Sequence, residues 1–303
     1  MESKVLLKTE IPGAALFARG KVRDTYDLGD SLLIVATDRI SAFDVVLPNG
    51  ILDKGKVLNQ LSGFWFDRTR HIVPNHLEQM VDSVEVVKPY LPRVSDSDLV
   101  ILVGRSMVVR KAKRIDIECV VRGYISGSAW AEYQKHGTVA GFPMSKGLRE
   151  SDKLPEVLFT PTTKSETGHD EPITVQQMED MLGKDLTKEI QAKTERIYSF
   201  SAGYAAERGI IIADTKMEFG LDEDKLILID ELLTPDSSRF WDHSKYNPGG
   251  PQPSFDKQPV RDWLVASGWN KGPPAPALPE EVVAATTKRY RKAYARLTGR
   301  SLD

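Results

Sequence analysis

Residues 210–220 have the sequence Ile-Ile-Ile-Ala-Asp-Thr-Lys-Met-Glu-Phe-Gly, in which an apolar run leads into alternating charged and apolar side chains. Successive side chains of a β-strand point to opposite faces of its sheet, so this stretch predicts a strand with two different faces. One face carries Asp214, Lys216 and Glu218. The other face carries Thr215, Met217 and Phe219. We therefore expect one face of this strand to bring two carboxylates and a lysine together.

The predicted partner of this strand is the apolar run at 225–229, which follows the turn-like sequence Gly-Leu-Asp-Glu-Asp. Together the two runs predict an antiparallel hairpin. If the hairpin is centred on Asp222, Asp214 stands opposite Asp230, whereas a shift of one position places Glu231 opposite Asp214. The identity of the cross-strand carboxylate depends on the register, and both registers stay open.

In either register, two or three carboxylates and one lysine gather at the ends of these strands. Like charges directly opposite one another destabilise a sheet unless a positive charge lies between them. Oxygen ligands suit Mg²⁺, which takes one or two carboxylates and completes its shell with water and substrate phosphates. The pattern indicates a Mg²⁺ site beside a phosphorylated ligand, and an exposed hairpin with a salt bridge is the alternative.

Two glycine-containing segments are candidates for a phosphate-binding loop. In residues 20–23, Gly-Lys-Val-Arg, the glycine lets a phosphate approach the backbone, and Lys21 and Arg23 share one strand face. A solvated strand face is the alternative. Residues 50–57 nearly match the loop that ends in Gly-Lys-Ser/Thr, but Val57 lacks the hydroxyl that binds Mg²⁺, so we assign no phosphate loop there.

Arginine, glycine and serine recur in two further segments, Arg-Gly-Tyr-Ile-Ser-Gly-Ser at 122–128 and Thr-Pro-Asp-Ser-Ser-Arg at 234–239. Serine hydroxyls and a planar guanidinium can hold a phosphate, although each segment alone can also be structural. Residues 160–171 are polar and lack periodicity, which predicts a mobile binding loop. His169 in that loop has no second histidine at metal-ligand spacing, which argues against zinc.

The rest of the pattern predicts both strands and helices, beginning with an antiparallel sheet. The predicted strands are a hairpin over 18–36 and further strands at 99–103, 106–111 and 117–123. The predicted helices cover 59–70, 174–207 with an interruption near 183–185, and 279–297, whose inward residues are Val283, Tyr290, Tyr294 and Leu297. We place a domain boundary between 113 and 117, which gives the units 1–115 and 116–303.

The composition is typical of a soluble globular protein. The 303 residues include 41 Lys and Arg and 43 Asp and Glu, so the formal net charge is −2. This balance argues against a protein that coats a polyanion, and the basic stretch 110–114 lacks the aromatic residues of a nucleic-acid site. With one cysteine, the core candidate Cys119, and no apolar run of signal-peptide or membrane-span length, we expect a cytoplasmic protein with neither nucleic-acid nor membrane partners.

Five segments together resemble one enzyme family, and they occur in that family's order. They are Gly-Lys-Val-Arg-Asp at 20–24, Ala-Thr-Asp-Arg-Ile-Ser-Ala-Phe-Asp at 36–44, and the segments already quoted at 122–128, 212–220 and 234–239. Over about residues 15–300 the chain is similar to the SAICAR synthetases, or phosphoribosylaminoimidazole-succinocarboxamide synthases, in their longer form.

The resemblance implies a step of de novo purine synthesis. In this reaction ATP, L-aspartate and carboxyaminoimidazole ribonucleotide (CAIR) give SAICAR, ADP and phosphate. It also implies a two-lobed α+β fold, in which an N-terminal antiparallel-sheet lobe is similar to the small lobe of protein kinases. ATP would lie between this lobe and a larger α+β part, with Mg²⁺ beside it.

The resemblance also implies roles for individual residues. ATP would be bound by Gly20, Lys21 and Arg23 at the phosphates, by Lys111 near adenine, by Glu118 at the ribose and by Lys164. The metal ligands would be Glu218 and Asp230. The substrate 5′-phosphate would be bound by Arg122, Ser128, Ser238 and Arg239.

The remaining roles implied by the resemblance concern the reacting groups. Asp214 and Lys216 would line the imidazole carboxylate and, with Lys21, carry the chemistry. The loop with Lys164, His169 and Asp170 would close over metal and nucleotide. Arg39, Ser41 and Asp44 would face L-aspartate.

One segment departs from the family's pattern. Pro259 stands where the family has a bulky aromatic residue, and proline suits the first turn of a helix.

Two other functions stay open. A small-molecule kinase on the same scaffold would release ADP without aspartate, and a nucleotide sensor would bind ATP without turnover. The carboxylates and lysine of residues 214–218 argue against the sensor, which has no need of so much charge at the phosphates.

Overall fold

Two antiparallel sheets organise the chain in the computed structural model, which describes residues 4–164 and 171–302. The strands of the first sheet, in spatial order, are β1 (Ala15–Arg19), β2 (Arg23–Asp27), β3 (Ser31–Ala36), β7 (Ser106–Arg110) and β6 (Leu77–Met80). The predicted hairpin at 18–36 is confirmed, because β2 and β3 pair antiparallel across Gly29.

The second sheet carries the charged stretch at 210–220. Its strands, in spatial order, are β11 (Lys153–Phe159), β8 (Lys113–Tyr124), β13 (Ile210–Asp222) and β14 (Lys225–Ile229), with β12 (Thr162–Thr163) on β8 and β15 (Ser238–Asp242) on β13. Two small antiparallel pairs are β4 (Arg39–Ala42) with β5 (Val45–Gly50), and β9 (Thr138–Val139) with β10 (Phe142–Pro143).

Helices pack on both sheets. They are α1 (Lys54–Thr69), α2 (Val84–Val87), α3 (Asp96–Leu99), α4 (Ser128–His136), α5 (Val175–Leu182), α6 (Lys184–Ala206), α7 (Gln258–Ala266) and α8 (Glu280–Thr298). Short 3-10 helices cover Val100–Leu102 and His243–Lys245. The predicted interruption near 183–185 is confirmed at Gly183, whose φ of 85° separates α5 from α6.

The alternation predicted for β13 is confirmed. Met217 and Phe219 are fully buried in the main hydrophobic core, which also contains residues of α1, α6 and α8. The charged side chains of the alternate positions lie on the opposite face, where Lys216 contacts Glu218. Cys119 of β8 is buried as expected, and this burial raises the pKa of its thiol.

Both registers predicted for the hairpin are wrong. Glu218 pairs with Ile229 and Asp222 pairs with Lys225, so the turn consists of Glu223 and Asp224. Their φ angles are 47° and 66°, the positive values that a two-residue hairpin turn requires at both central positions.

Asp214 therefore stands opposite neither Asp230 nor Glu231. It pairs with Arg239 of β15 on one side and with Arg122 of β8 on the other. The reason is that β13 continues to Asp222 before it turns, which moves the pairing with β14 toward the end of the strand.

Two other predicted elements differ from the structure. The strand predicted at 99–103 is the end of α3 followed by a 3-10 helix, because the Ser95 side chain accepts a hydrogen bond from the Asp98 amide and caps a helical turn. The first long helix begins at Lys54 rather than near 59, and the Gly55 amide in its first turn donates to Asp38 at 2.9 Å.

The C-terminal elements follow the prediction. In α8, Tyr290, Tyr294 and Leu297 are buried. Pro259 lies in the first turn of α7, where its ring is tolerated. The division at 115 and 116 stays a prediction, and β8 runs through that point from Lys113 to Tyr124. Within 4–164 and 171–302, no helix is long and apolar enough to cross a membrane.

Candidate active site

The charged face of β13 begins with a cluster around Lys216. Its ammonium Nζ lies 2.5 Å from Glu118 Oε1 and 3.1 Å from Glu218 Oε1. Lys164 pairs with the other oxygen of Glu218. Burial alone would lower the pKa of Lys216, but the carboxylates of Glu218 and Glu118 outweigh burial and raise the pKa above its usual value. Lys216 is therefore a permanent cation at physiological pH.

Arg23 joins the first sheet to this cluster. Its Nη2 lies 2.7 Å from Asp230 Oδ2 and 3.3 Å from Glu231 Oε1. Burial opposes the charge of Arg23, but the neighbouring carboxylates raise its pKa. The pKa of Asp230 is lowered, because Arg23, Lys164 and Lys216 together outweigh the effect of its burial. The segment at 20–23 thus faces the end of the hairpin.

The donor atoms of this cluster fit a Mg²⁺ ion that is completed by a ligand. The carboxylates of Glu218 and Asp230 supply oxygen only, which is the donor that Mg²⁺ prefers. Among the described residues, no group of three or more His, Cys, Asp or Glu side chains is arranged to hold a metal. A cation here would take carboxylate oxygens from the protein and complete its shell with water and phosphate oxygens, which is the usual pattern for Mg²⁺.

A second charged group surrounds Asp214. Arg239 Nη1 lies 2.6 Å and Arg122 Nη1 lies 3.2 Å from Asp214 Oδ2, while Arg122 Nη2 donates to Ser128 Oγ at 3.2 Å. Two guanidinium groups exceed one carboxylate, so the group carries a net positive charge. Planar guanidinium groups with a serine hydroxyl are typical of a phosphate or carboxylate site.

Gly127 and a cavity give this second group its shape. A Cβ atom at Gly127 would collide with the guanidinium of Arg239, and the φ of 58° there also favours glycine. Beside Arg122 and Ser128 opens a cavity of about 640 Å³, which is also lined by Thr160 and Thr174. The two groups lie on the same face of β13, two positions apart, so they form one charged cleft.

Some predicted site residues lie apart from these two groups. Ser238 points to the opposite face of β13 from Asp214, and its hydroxyl lies 2.8 Å from that of Thr215. Lys111 pairs with Asp27 at 2.9 Å on the first sheet. Ser41 is buried in β4.

The Arg39 side chain holds the backbone of the segment at 20–23 in place. The Arg39 guanidinium donates to the carbonyl oxygens of Gly20 at 2.9 Å and Lys21 at 3.1 Å, and to Asp24 at 2.8 Å. Lys21 itself is half exposed and pairs with Asp44. Arg39 therefore fixes the backbone of the loop that carries Lys21. The predicted roles of His169 and Asp170 lie outside the described residues.

Sequence reasoning missed a buried ion pair next to the cleft. Lys54 Nζ lies 2.7 Å from Asp236 Oδ2, and the Tyr290 hydroxyl donates to Asp236 Oδ1 at 2.6 Å. Burial would raise the pKa of Asp236, but Lys54 and Lys257 lower it. Lys257 is half-buried, and the loss of solvation lowers its pKa to about 8. In the sequence, the only indication of this ion pair was that Lys54 and Asp236 each lie in a segment considered as a candidate for phosphate binding.

The chain matches the sequence model of one protein family, described as SAICAR synthetase, over residues 16–276. It belongs to the SAICAR synthetase family. A phosphoribosylaminoimidazole-succinocarboxamide synthase from Geotalea uraniireducens is 53% identical over 299 residues, which cover 98% of this chain and 99% of the relative. A synthase of the same name from Pelobacter propionicus is 51% identical over 301 residues, 99% of this chain and 100% of the relative.

The fold agrees with a solved member of the family. The structure of SAICAR synthase from Saccharomyces cerevisiae complexed with SAICAR has a TM-score of 0.89 and 45% sequence identity, and the match covers 98% of this chain and 99% of that one. The mixed α/β architecture expected from the resemblance is confirmed, as is the family itself. As a SAICAR synthetase, the chain is a ligase of purine biosynthesis that forms a C–N bond.

Proposed function

We propose that this SAICAR synthetase joins L-aspartate to the carboxylate of CAIR at the expense of ATP and releases SAICAR, ADP and phosphate. The observation that carries the proposal is the charged face of β13. Around Asp214 it has an arginine pair suited to a phosphate, and around Lys216 it has carboxylates and cations suited to a nucleotide and a metal. Two anionic substrates and Mg²⁺ need both signs of charge in one cleft.

ATP and Mg²⁺ would occupy the Lys216 side of the cleft. Gly20, Lys21 and Arg23 would contact the ATP phosphates, and the Arg23 contact with Asp230 supports this placement. Glu218 and Asp230 would hold Mg²⁺, which when bound neutralises phosphate charge during transfer. The other assignments are Lys111 beside adenine, Glu118 at the ribose and Lys164 over the phosphates.

The ribonucleotide would occupy the Asp214 side of the cleft. Arg122, Ser128 and Arg239 would bind its 5′-phosphate, and their shared contacts support this assignment. Ser238 would contribute through its backbone, since its hydroxyl bonds to Thr215 on the opposite face of the sheet. Asp214 and Lys216, two positions apart, would line the imidazole carboxylate that reacts.

The reaction would proceed through an acyl phosphate. A carboxylate is a poor acylating agent, so its oxygen first attacks the γ-phosphorus of ATP and ADP leaves. The neutral amine of L-aspartate then attacks the acyl carbon. Phosphate leaves with one former carboxylate oxygen and the bonding electron pair, and it takes up the proton that the nitrogen loses. Lys216 and Lys21 would neutralise the charge on the transferring phosphoryl group, where positioning and electrostatics dominate catalysis. No covalent enzyme intermediate is needed.

L-aspartate would lie beside the β4–β5 pair. Ser41 and Asp44 would face it, and Arg39 would contribute by fixing the loop that carries Lys21. His169 and Asp170 would close the site from the loop after Lys164. We further propose that the first sheet acts as the nucleotide-covering lobe, similar to the small lobe of protein kinases, and that the protein works in the cytoplasm.

The proposed function is tested by ADP release with ATP and Mg²⁺. CAIR and L-aspartate are added singly and together, and the expected result is steady turnover only when both are present. Turnover with CAIR alone, unchanged by aspartate, would support the kinase alternative. ATP binding with no turnover under any combination would support a sensor.

Replacement of Arg239 by glutamine is expected to raise the KM for CAIR by about tenfold to a hundredfold, the effect of losing a charge-assisted hydrogen bond. The KM for ATP should stay near the wild-type value, because Arg239 contacts Asp214 and not the Lys216 cluster. Steady-state kinetics with each substrate varied in turn measure both constants. As a control, Arg110→Gln removes an arginine that pairs at the surface with Asp222. A rise confined to the KM for ATP would contradict the role given to Arg239.

A further inference from the structure

The segment that links the two sides of the cleft is the loop between β14 and β15. It begins at Asp230 and Glu231, which contact Arg23, and ends at Arg239, which contacts Asp214. Between these ends the Ser237 carbonyl oxygen accepts a hydrogen bond from the Lys216 amide at 2.9 Å. The position of this loop therefore affects both charged groups.

One side chain anchors the loop from within the protein. Asp236 accepts from Lys54 of α1 on one oxygen at 2.7 Å and from the Tyr290 hydroxyl of α8 on the other at 2.6 Å. Lys54 and Tyr290 are fully buried, and the Asp236 side chain is 4% exposed. Each carboxylate oxygen thus has a donor from a different helix, which fixes the carboxylate plane as well as its position.

Helix α8 supplies one of these two donors, although it lies beyond residues 16–276, the part that matches the family's sequence model. It is attached to α1 by further contacts. The Tyr294 hydroxyl donates to Gln60 Oε1 at 2.7 Å, and Arg291 Nε donates to Asp53 Oδ2 at 3.0 Å. Among Tyr290, Arg291 and Tyr294, it is Tyr290 that contacts the loop between β14 and β15.

We propose that Tyr290 is a positioning residue for the CAIR phosphate site and acts through Asp236 on the segment 237–239. This inference rests on the proposed function. Without the Tyr290 hydroxyl, one buried oxygen of Asp236 loses its donor, which is costly inside a protein. The Asp236 carboxylate then turns toward Lys54 and Lys257, its remaining cationic neighbours. This rotation moves Arg239, which lies three positions further along the chain, relative to Arg122. Small displacements of positioning groups are enough to weaken substrate binding.

The test compares Tyr290→Phe with Tyr294→Phe, since each variant removes one buried hydroxyl of α8. Tyr290→Phe is expected to raise the KM for CAIR about tenfold, and to leave the KM for ATP and kcat within about twofold of wild type. Tyr294→Phe is expected to leave both KM values unchanged, because Gln60 bonds to Tyr294 and Gly104, away from the loop that carries Asp236. If Tyr290 has only a structural role, both variants will have a lower thermal midpoint and Tyr290→Phe will not raise the KM for CAIR selectively. That outcome would overturn the proposal.

A second variant covers the case in which Tyr290→Phe is too unstable to assay. Asp236→Glu keeps the charge that pairs with Lys54 and lengthens the side chain by one methylene, which displaces the segment 237–239, so it should also raise the KM for CAIR selectively. In the double variant the two increases should not multiply, because both changes act on one contact. Fully multiplicative effects would contradict the proposal. Wild-type enzyme assayed in parallel with and without L-aspartate separates a failure of this inference from a failure of the proposed function.

Discussion

Lys216→Met is expected to lower kcat about a thousandfold, in the range found when one electrostatic contact to a developing charge is lost. Lys216 lies between Glu118 and Glu218, and its amide bonds to the loop that carries Arg239. In the proposed reaction its ammonium group faces both the CAIR carboxylate and the ATP phosphates. The variant should therefore bind nucleotide and lose turnover, which single-turnover ADP release measures directly.

The stability of the Lys216 variant separates chemistry from folding. Lys164 continues to pair with Glu218, and the Lys216 side chain is 30% exposed, so we expect the variant to remain folded, with a thermal midpoint slightly below wild type because Glu118 loses this cation. Lys88→Met is a suitable control, because Lys88 forms an exposed ion pair with Asp96. A Lys216 variant with wild-type kcat would rule out the assignment of this face of β13 to the reaction.

Lys54→Met is expected to lower the free energy of unfolding by about 3–5 kcal/mol, the cost of removing one partner of a buried ion pair. Lys54 is fully buried and Asp236 nearly so, which leaves the carboxylate without its nearest cation. Chemical denaturation at neutral pH measures the loss. The matched control is Arg110→Met, which breaks the half-exposed pair with Asp222 and should cost no more than about 1 kcal/mol. Equal losses of unfolding free energy in the two variants would contradict the larger contribution assigned to the Lys54–Asp236 pair.

The sequence predicts the strand at the centre of this site and its two faces. Alternation of side chains is a local property, so residues 214–219 indicate their own arrangement without knowledge of the rest of the chain. The same holds for the first hairpin and for α8, whose apolar spacing identifies the buried face.

The register of the second hairpin could not be predicted, for a physical reason. Its turn uses Glu223 and Asp224 with positive φ, whereas the glycine that would normally mark such a turn stands earlier, at Gly220. Gly220 instead lies within β13, where a Cβ would be 3.1 Å from the Lys113 carbonyl oxygen of the neighbouring strand. The glycine thus marks a close approach of two backbones and not the turn.

Contacts between segments that are far apart in the chain could also not be predicted from the sequence. Lys54 and Asp236 are separated by 182 positions, and nothing in the spacing of either segment indicates that they meet. Arg39 was assigned to a substrate because it lies in a characteristic segment, whereas its donors fix the backbone of residues 20–23. Residue types indicate the chemistry of a cleft, but the fold decides which of them contact a substrate and which hold the others in place.

The most direct test of the acyl-phosphate ligase follows the carboxylate oxygens of CAIR. Both oxygens are labelled with ¹⁸O, the enzyme turns over with ATP, Mg²⁺ and L-aspartate, and the released phosphate and SAICAR are analysed by mass spectrometry. The proposed reaction places one ¹⁸O atom in each phosphate and leaves the other in the new amide. Unlabelled phosphate released together with SAICAR that keeps both labels, or label in phosphate without any need for aspartate, would contradict it.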